Sequence, residues 1–93
     1  MKYILDGKRM VSREETHLYL KEIFGFPAYY GKNLDALHDC LMEMCEAEVE
    51  FRNTEEMLTV LGRYGEKLLE VILQDAKEIG YKAMLLDTLP FLK

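Results

Sequence analysis

Apolar residues recur with a strand-like and then a helix-like period in the first part of the chain. Residues 2–6 form a short, largely apolar run that ends at Asp6-Gly7, a dipeptide typical of turns. The sequence from Ser12 to Glu15 has the spacing of a capping box, which predicts the start of a helix. Gly25 suits the left-handed residue after the last turn, and Pro27 prevents the helix from continuing. The predicted buried stripe of this helix consists of Tyr19, Leu20, Ile23 and Phe24.

The remaining pattern predicts three more helices and two more strands. Asn33 is the expected N-cap of a second helix that runs roughly to Met44. Residues 48–53 alternate between polar and apolar, which is typical of a half-exposed edge strand. A short helix over residues 54–61 precedes a strongly amphipathic helix that closes at Gly80. The continuous apolar run over residues 81–86 predicts a buried strand.

The predicted order of elements is β-α-α-β-α-α-β, so helices separate every pair of strands. Connections of this kind favour parallel strands with right-handed crossovers. The sequence therefore predicts an α/β fold with a small three-stranded parallel sheet packed by three to four helices. Residues 1–93 are expected to form a single domain. Within the sheet, the alternating second strand is expected at an edge and the more apolar strands in protected positions.

Composition and charge narrow the possible functions. The chain is 49% hydrophobic and 31% charged, as folded globular proteins are, and its net charge of −5 disfavours direct binding to nucleic acid. We expect no membrane span and a cytoplasmic location, because no apolar run suits a bilayer or a secretory signal. Cys40 and Cys45 lie too far apart on one predicted helix for a disulfide. His17 and His38 lack metal-ligand spacing, so no metal or cofactor is expected.

An acidic helix face is the most informative feature of the chain. Asp35, Asp39 and Glu43 recur every fourth residue on the predicted second helix. Like charges at this spacing destabilise a helix by a few tenths of a kcal/mol, which favours a role in binding a cationic partner. Asp35 can be explained by the helix dipole, whereas Asp39 cannot. A solvated acidic face without a partner is the alternative. The opposite, apolar side carries Leu34, Leu37, Leu41 and Met44.

Two tyrosines lie in the loop that enters this helix. Aromatic rings beside charged groups are typical of binding hot spots, which favours a binding role for Tyr29 and Tyr30. The alternative for Tyr30 is packing in the core beneath the helix. An enzyme is not expected, because carboxylates one turn apart on an open helix face water without a second wall to enclose a substrate. The sequence also lacks a phosphate-binding loop, a nucleophile elbow and an HExxH motif.

The segment PAYYGKNLDALHDC, from Pro27 to Cys40, resembles the barstar family of intracellular inhibitors of barnase-type ribonucleases. The resemblance implies a three-stranded parallel sheet packed by helices. It also implies that the loop and second helix plug the nuclease active site, with acidic groups in place of substrate phosphates. In that arrangement Asp39 would enter the phosphate-binding pocket and Tyr29 would pack against a catalytic-site histidine. The implied partner-binding residues are Tyr29, Tyr30, Gly31, Asn33, Leu34, Asp35, His38, Asp39 and Asp75.

Two residues depart from the family pattern. His38 stands where the best-known member has a tryptophan, and Lys32 replaces an acidic residue. The expected partner is a basic protein, above all a secreted barnase-type ribonuclease. We expect the chain to be a monomer that binds this partner as a 1:1 heterodimer. The alternative is a basic partner that is not a nuclease. Because His38 borders the acidic face, its protonation is expected to weaken binding to a cationic partner below about pH 6.5.

Overall fold

A computed structural model of the protein describes residues 2–44, 47–80 and 82–85. The elements follow one another in the predicted order, with a 3-10 turn (Gly7–Arg9) after the first strand. The strands are β1 (Lys2–Asp6), β2 (Glu48–Arg52) and β3 (Lys82–Leu85), and the helices are α1 (Arg13–Phe24), α2 (Leu34–Leu41), α3 (Thr54–Leu61) and α4 (Arg63–Ile79).

The strands pair in parallel in the order β1-β2-β3. Leu5 lies opposite Phe51, and Phe51 lies opposite Leu85. The predicted α/β class and parallel pairing are therefore confirmed. Residues 81 and 86 of the predicted last strand lie outside the described residues.

The prediction that the second strand lies at an edge is wrong. β2 pairs with a strand on each side, and its three middle residues are all buried. The polar alternation suggested an exposed edge, but the charge of the buried Glu50 is balanced by two basic side chains. Its carboxylate oxygens lie 2.7 Å from Lys2 Nζ and 3.1 Å from Arg52 Nη2, so a charged residue occupies a central strand without an unpaired buried charge.

Capping interactions set the start and end of α1 and the start of α2. The Ser12 hydroxyl accepts a hydrogen bond from the backbone N–H of Glu15 at 3.1 Å, as the capping box predicts. Gly25 ends α1 in the left-handed region at φ 70, where a glycine avoids the steric cost of a side chain. The Asn33 side chain accepts from the Ala36 N–H at 2.8 Å and so begins α2 at the predicted position.

The second helix is shorter than predicted. α2 ends at Leu41 rather than near Met44, and the backbone N–H of Glu43 bonds to the Cys40 carbonyl at 3.2 Å. Bonds of this tighter spacing close the last turn of a helix. Glu43 consequently lies beyond α2 and does not continue the row of Asp35 and Asp39.

The core lies between the sheet and the helices. Leu37 and Leu41 of α2 are fully buried, which confirms these two members of the predicted apolar side, whereas Leu34 is half-buried and Met44 lies beyond the end of the helix. Burying one leucine side chain contributes about 1.5 to 3 kcal/mol, so these two residues hold α2 firmly against the core. Other fully buried members of the same cluster include Leu5, Met10, Leu20, Met57 and Leu68.

No helix in the described part of the chain has the length and apolar character needed to cross a bilayer. Cys40 is a free, partly buried thiol whose pKa is raised by burial. Cys45 lies outside the described residues.

Candidate protein interaction surface

The loop before α2 is held in one conformation by its own backbone and by Asn33. The Tyr30 N–H donates to the Pro27 carbonyl at 3.0 Å, which closes a turn. Lys32 then adopts a left-handed conformation at φ 55, which is unfavourable for a residue with a side chain. Asn33 stabilises this path, because its Nδ2 donates to the Gly31 carbonyl at 3.2 Å while its Oδ1 caps α2.

Gly31 allows the loop to approach the helix closely. A Cβ atom at this position would lie 3.1 Å from the Cβ of Ala36 and 3.4 Å from Asn33 Nδ2. The first of these distances is tighter than ordinary carbon–carbon contact, so a larger residue would push the loop away from α2. Gly31 is thus required for the close packing of the loop on α2.

The two adjacent tyrosines point in opposite directions. Tyr29 is 88% exposed, whereas Tyr30 is only 5% exposed and belongs to the core. The Tyr30 ring packs 4.9 Å from the ring of Phe26, measured between centroids. Of the two alternatives that the sequence left for Tyr30, the core position is the one observed.

A buried histidine anchors the loop from beneath. His17 of α1 is 0% exposed, and its Nδ1 lies 2.7 Å from the Tyr30 hydroxyl. Its Nε2 lies 2.6 Å from the hydroxyl of Tyr64 in α4. The Arg13 guanidinium carbon stacks over the Tyr64 ring, 4.4 Å from its centroid. Burial lowers the pKa of His17, so the ring is neutral at pH 7 and offers one donor and one acceptor to the two hydroxyls.

This buried network is not among the features predicted from the sequence. The signal that was available is spacing, because His17 falls three residues before the buried Leu20 and therefore on the apolar stripe of α1. The partners could not be read from the sequence, since Tyr64 is 47 positions away from His17.

The exposed acidic groups border the loop. Asp35 and Asp39 are both exposed on α2. Asp39 and Tyr29 line the same surface depression of about 180 Å³. Its remaining lining residues are Pro27, Tyr30, Gly31, Ala36 and Cys40. The structure therefore brings Tyr29, Gly31 and Asp39 together at one place, while Leu34 is half-buried against the core.

His38 faces α4 and covers Asp75. Its Nδ1 lies 2.8 Å and 3.0 Å from the two carboxylate oxygens of Asp75. The Asp75 side chain is 2% exposed, whereas that of His38 is 46% exposed. The hydrogen bond and charge of Asp75 raise the pKa of His38, while burial raises the pKa of Asp75 against the opposing effect of His38. Asp75 is thus brought to the site, but it lies behind the imidazole.

An open groove of about 480 Å³ runs between α2 and α4 beside this pair. Leu34 and Val71 supply apolar surface, and the rim is mainly acidic. The charged and titratable groups that line the groove are Asp35, His38, Lys67, Glu70, Asp75 and Glu78. Within the described residues, no group of three or more His, Cys, Asp and Glu side chains is placed to hold a metal ion.

Comparison with known proteins agrees with the resemblance noted in the segment from Pro27 to Cys40. Residues 1–86 match the family model described as "Barstar (barnase inhibitor)". The chain is also 43% identical over 79 residues to the "Putative ribonuclease inhibitor YrdF" of Bacillus subtilis strain 168, a match that covers 83% of this chain and 86% of that protein. A family match over nearly all of the chain, together with this relative, shows that the protein belongs to the barstar family.

Proposed function

We propose that this protein inhibits a barnase-type ribonuclease by covering the active site with the loop before α2 and with α2 itself. The observation that carries the proposal is the pairing of the exposed Tyr29 with Asp39 around one depression, on a loop held by Gly31 and Asn33. The family description as a barnase inhibitor and the name of the Bacillus subtilis relative support the same role.

Electrostatics explains how such a surface would inhibit. A ribonuclease active site must be cationic to bind RNA phosphates, so exposed carboxylates compete for the same basic side chains. We assign Asp39 to the phosphate-binding position and Asp35 to its cationic border. Opposite charges on the two surfaces would also speed association through steering. The inhibitor acts by occupying the site and performs no chemistry on RNA.

The remaining site residues divide by their position. Tyr29, Gly31, Asn33 and Leu34 form the proposed contact surface of the loop and the first turn of α2, and Tyr30 supports that surface from the core. His38 contacts the partner in front of the buried Asp75. We propose a 1:1 complex between one inhibitor and one nuclease, formed in the cytoplasm where it protects the producing cell.

Cleavage of RNA by purified barnase tests the proposal. Equimolar inhibitor should suppress cleavage, and Asp39→Ala should restore it because the partner's cation loses its counter-charge. Glu56→Ala on α3 is the matched control, since it removes the same charge from an exposed position on another helix. Undiminished cleavage with excess wild-type inhibitor would refute barnase-type inhibition. If the protein bound barnase without reducing RNA cleavage, that result would contradict inhibition and would favour the alternative role of binding a basic partner without inhibiting it.

A further inference from the structure

The pairing of His38 with Asp75 gives the proposed interface a buried carboxylate that already has an imidazole as its partner. Asp75 is almost fully enclosed, and both it and His38 line the groove between α2 and α4. Nδ1 faces both carboxylate oxygens, so the proton on Nδ1 is shared with Asp75. The His38 side chain as a whole is 46% exposed.

The surroundings of His38 are strongly asymmetric in charge. The charged groups that line the same groove or act on the charge of His38 are Asp35 and Asp39 from α2 and Lys67, Glu70, Asp75 and Glu78 from α4. Five of these six groups are carboxylates, and Lys67 is the one basic group among them. Such an environment attracts a cation, and the imidazole supplies one whenever it is protonated.

We propose that the proton on His38 holds the place of a cationic side chain of the partner, and that docking of a basic protein releases this proton to solvent. The inference rests on the proposed function, because it concerns the same surface and a basic partner. An arginine or lysine that enters the groove between α2 and α4 repels the imidazolium and provides the carboxylates with a new counter-ion. His38 then becomes neutral, and Asp75 is balanced through its hydrogen bond to Nδ1 and the incoming cation.

The direction of the pH effect follows from this exchange. Binding that releases a proton is weakened when the proton is plentiful, so affinity should decrease as pH falls. Asp75 raises the pKa of His38, and the decrease should therefore begin above the ordinary histidine range rather than at pH 6.5. This sharpens the sequence-based expectation, which placed the effect below that value.

Calorimetric titration against barnase tests the exchange directly. Binding is measured between pH 6 and 8 in buffers that differ in ionisation enthalpy, which gives the number of protons released. The wild-type protein should release up to about one proton more per complex than His38→Gln. Because barnase is identical in both titrations, its own histidines cancel in the difference. Equal proton release by the two proteins across this range would overturn the inference, as would proton uptake by the wild type alone.

A nuclease-independent measurement keeps the inference separate from the proposed function. NMR titration of the His38 ring with saturating hexa-arginine peptide should show a fall in the pKa of His38. That fall should be smaller in the Glu70→Gln/Glu78→Gln variant and unchanged in Glu55→Gln/Glu56→Gln, which removes the same charge from α3. A pKa of His38 that the peptide does not move would overturn the inference. Failure of barnase to bind, with the expected peptide response, would count against the proposed function alone.

Discussion

Mild acid should destabilise the protein through the buried His17. This ring is enclosed between the hydroxyls of Tyr30 and Tyr64, and burial lowers its pKa from the ordinary 6.5. A histidine with a lower pKa in the folded chain binds a proton more readily when the chain unfolds. Its contribution to stability should be complete above pH 6.5 and should be lost progressively as pH falls towards the lowered pKa.

A single proton sets the size of this effect. The free energy of unfolding can change by at most about 1.4 kcal/mol per pH unit for one titrating group. His38 acts with the opposite sign, since Asp75 raises its pKa. Its contribution is present below pH 6.5 and is lost as pH rises through the raised pKa. The two histidines therefore act on opposite sides of pH 6.5, and together they place the expected maximum of stability near that pH.

Urea unfolding in a His38→Gln background separates the two effects. Between pH 6.5 and 5 the free energy of unfolding should decline, and a further His17→Gln substitution should flatten that profile even though it lowers stability overall. Asp75 is present in both proteins and cancels in the comparison. Asp6 and Glu50 titrate at lower pH, because the hydrogen bonds that they accept lower their pKa values. An equally steep decline without His17 would refute the reasoning.

Three further substitutions address binding, the core and the turn after β1. Tyr29→Ala should weaken barnase binding at least tenfold. The urea midpoint should not change, because the ring is exposed in the free protein. Unchanged affinity by calorimetry would show that Tyr29 is not part of the interface. Leu37→Ala should lower the free energy of unfolding by about 2 to 5 kcal/mol, measured by circular dichroism, and a loss under 1 kcal/mol would contradict its core position. Gly7→Ala should lower the free energy of unfolding by at least about 1 kcal/mol, since the added Cβ would collide with the Asn53 carbonyl. An unchanged urea midpoint would contradict this contact.

The features predicted correctly from the sequence are those set by neighbouring residues. Ser12 and Asn33 begin their helices through side-chain bonds to residues three positions ahead, and such bonds are visible as sequence patterns. The end of α2 could not be predicted, because Met44 continues the apolar spacing of the helix beyond the tightened last turn at Leu41. The position of β2 was missed because strand order depends on pairing across the sheet rather than on the strand's own pattern.

The candidate site shows the same division. The exposed Asp39 and the loop around Gly31 could be predicted, because their residues lie within one short segment. The partners of His38 and His17 could not, since these contacts join residues 37 and 47 positions apart. Nothing in the local sequence shows that Asp75 lies behind an imidazole or that Tyr30 is held from below.

The brevity of α2 limits any attempt to mimic this surface with a peptide. The helix has only eight residues, whereas isolated helices shorter than about 12 to 15 residues are marginal in water. Its preceding loop, with Lys32 in an unfavourable conformation, would also lose its anchorage to α1 and α4. A linear peptide covering residues 27–44 would thus have to be ordered on binding, so a useful mimic would need a covalent crosslink that fixes both the loop and the helix.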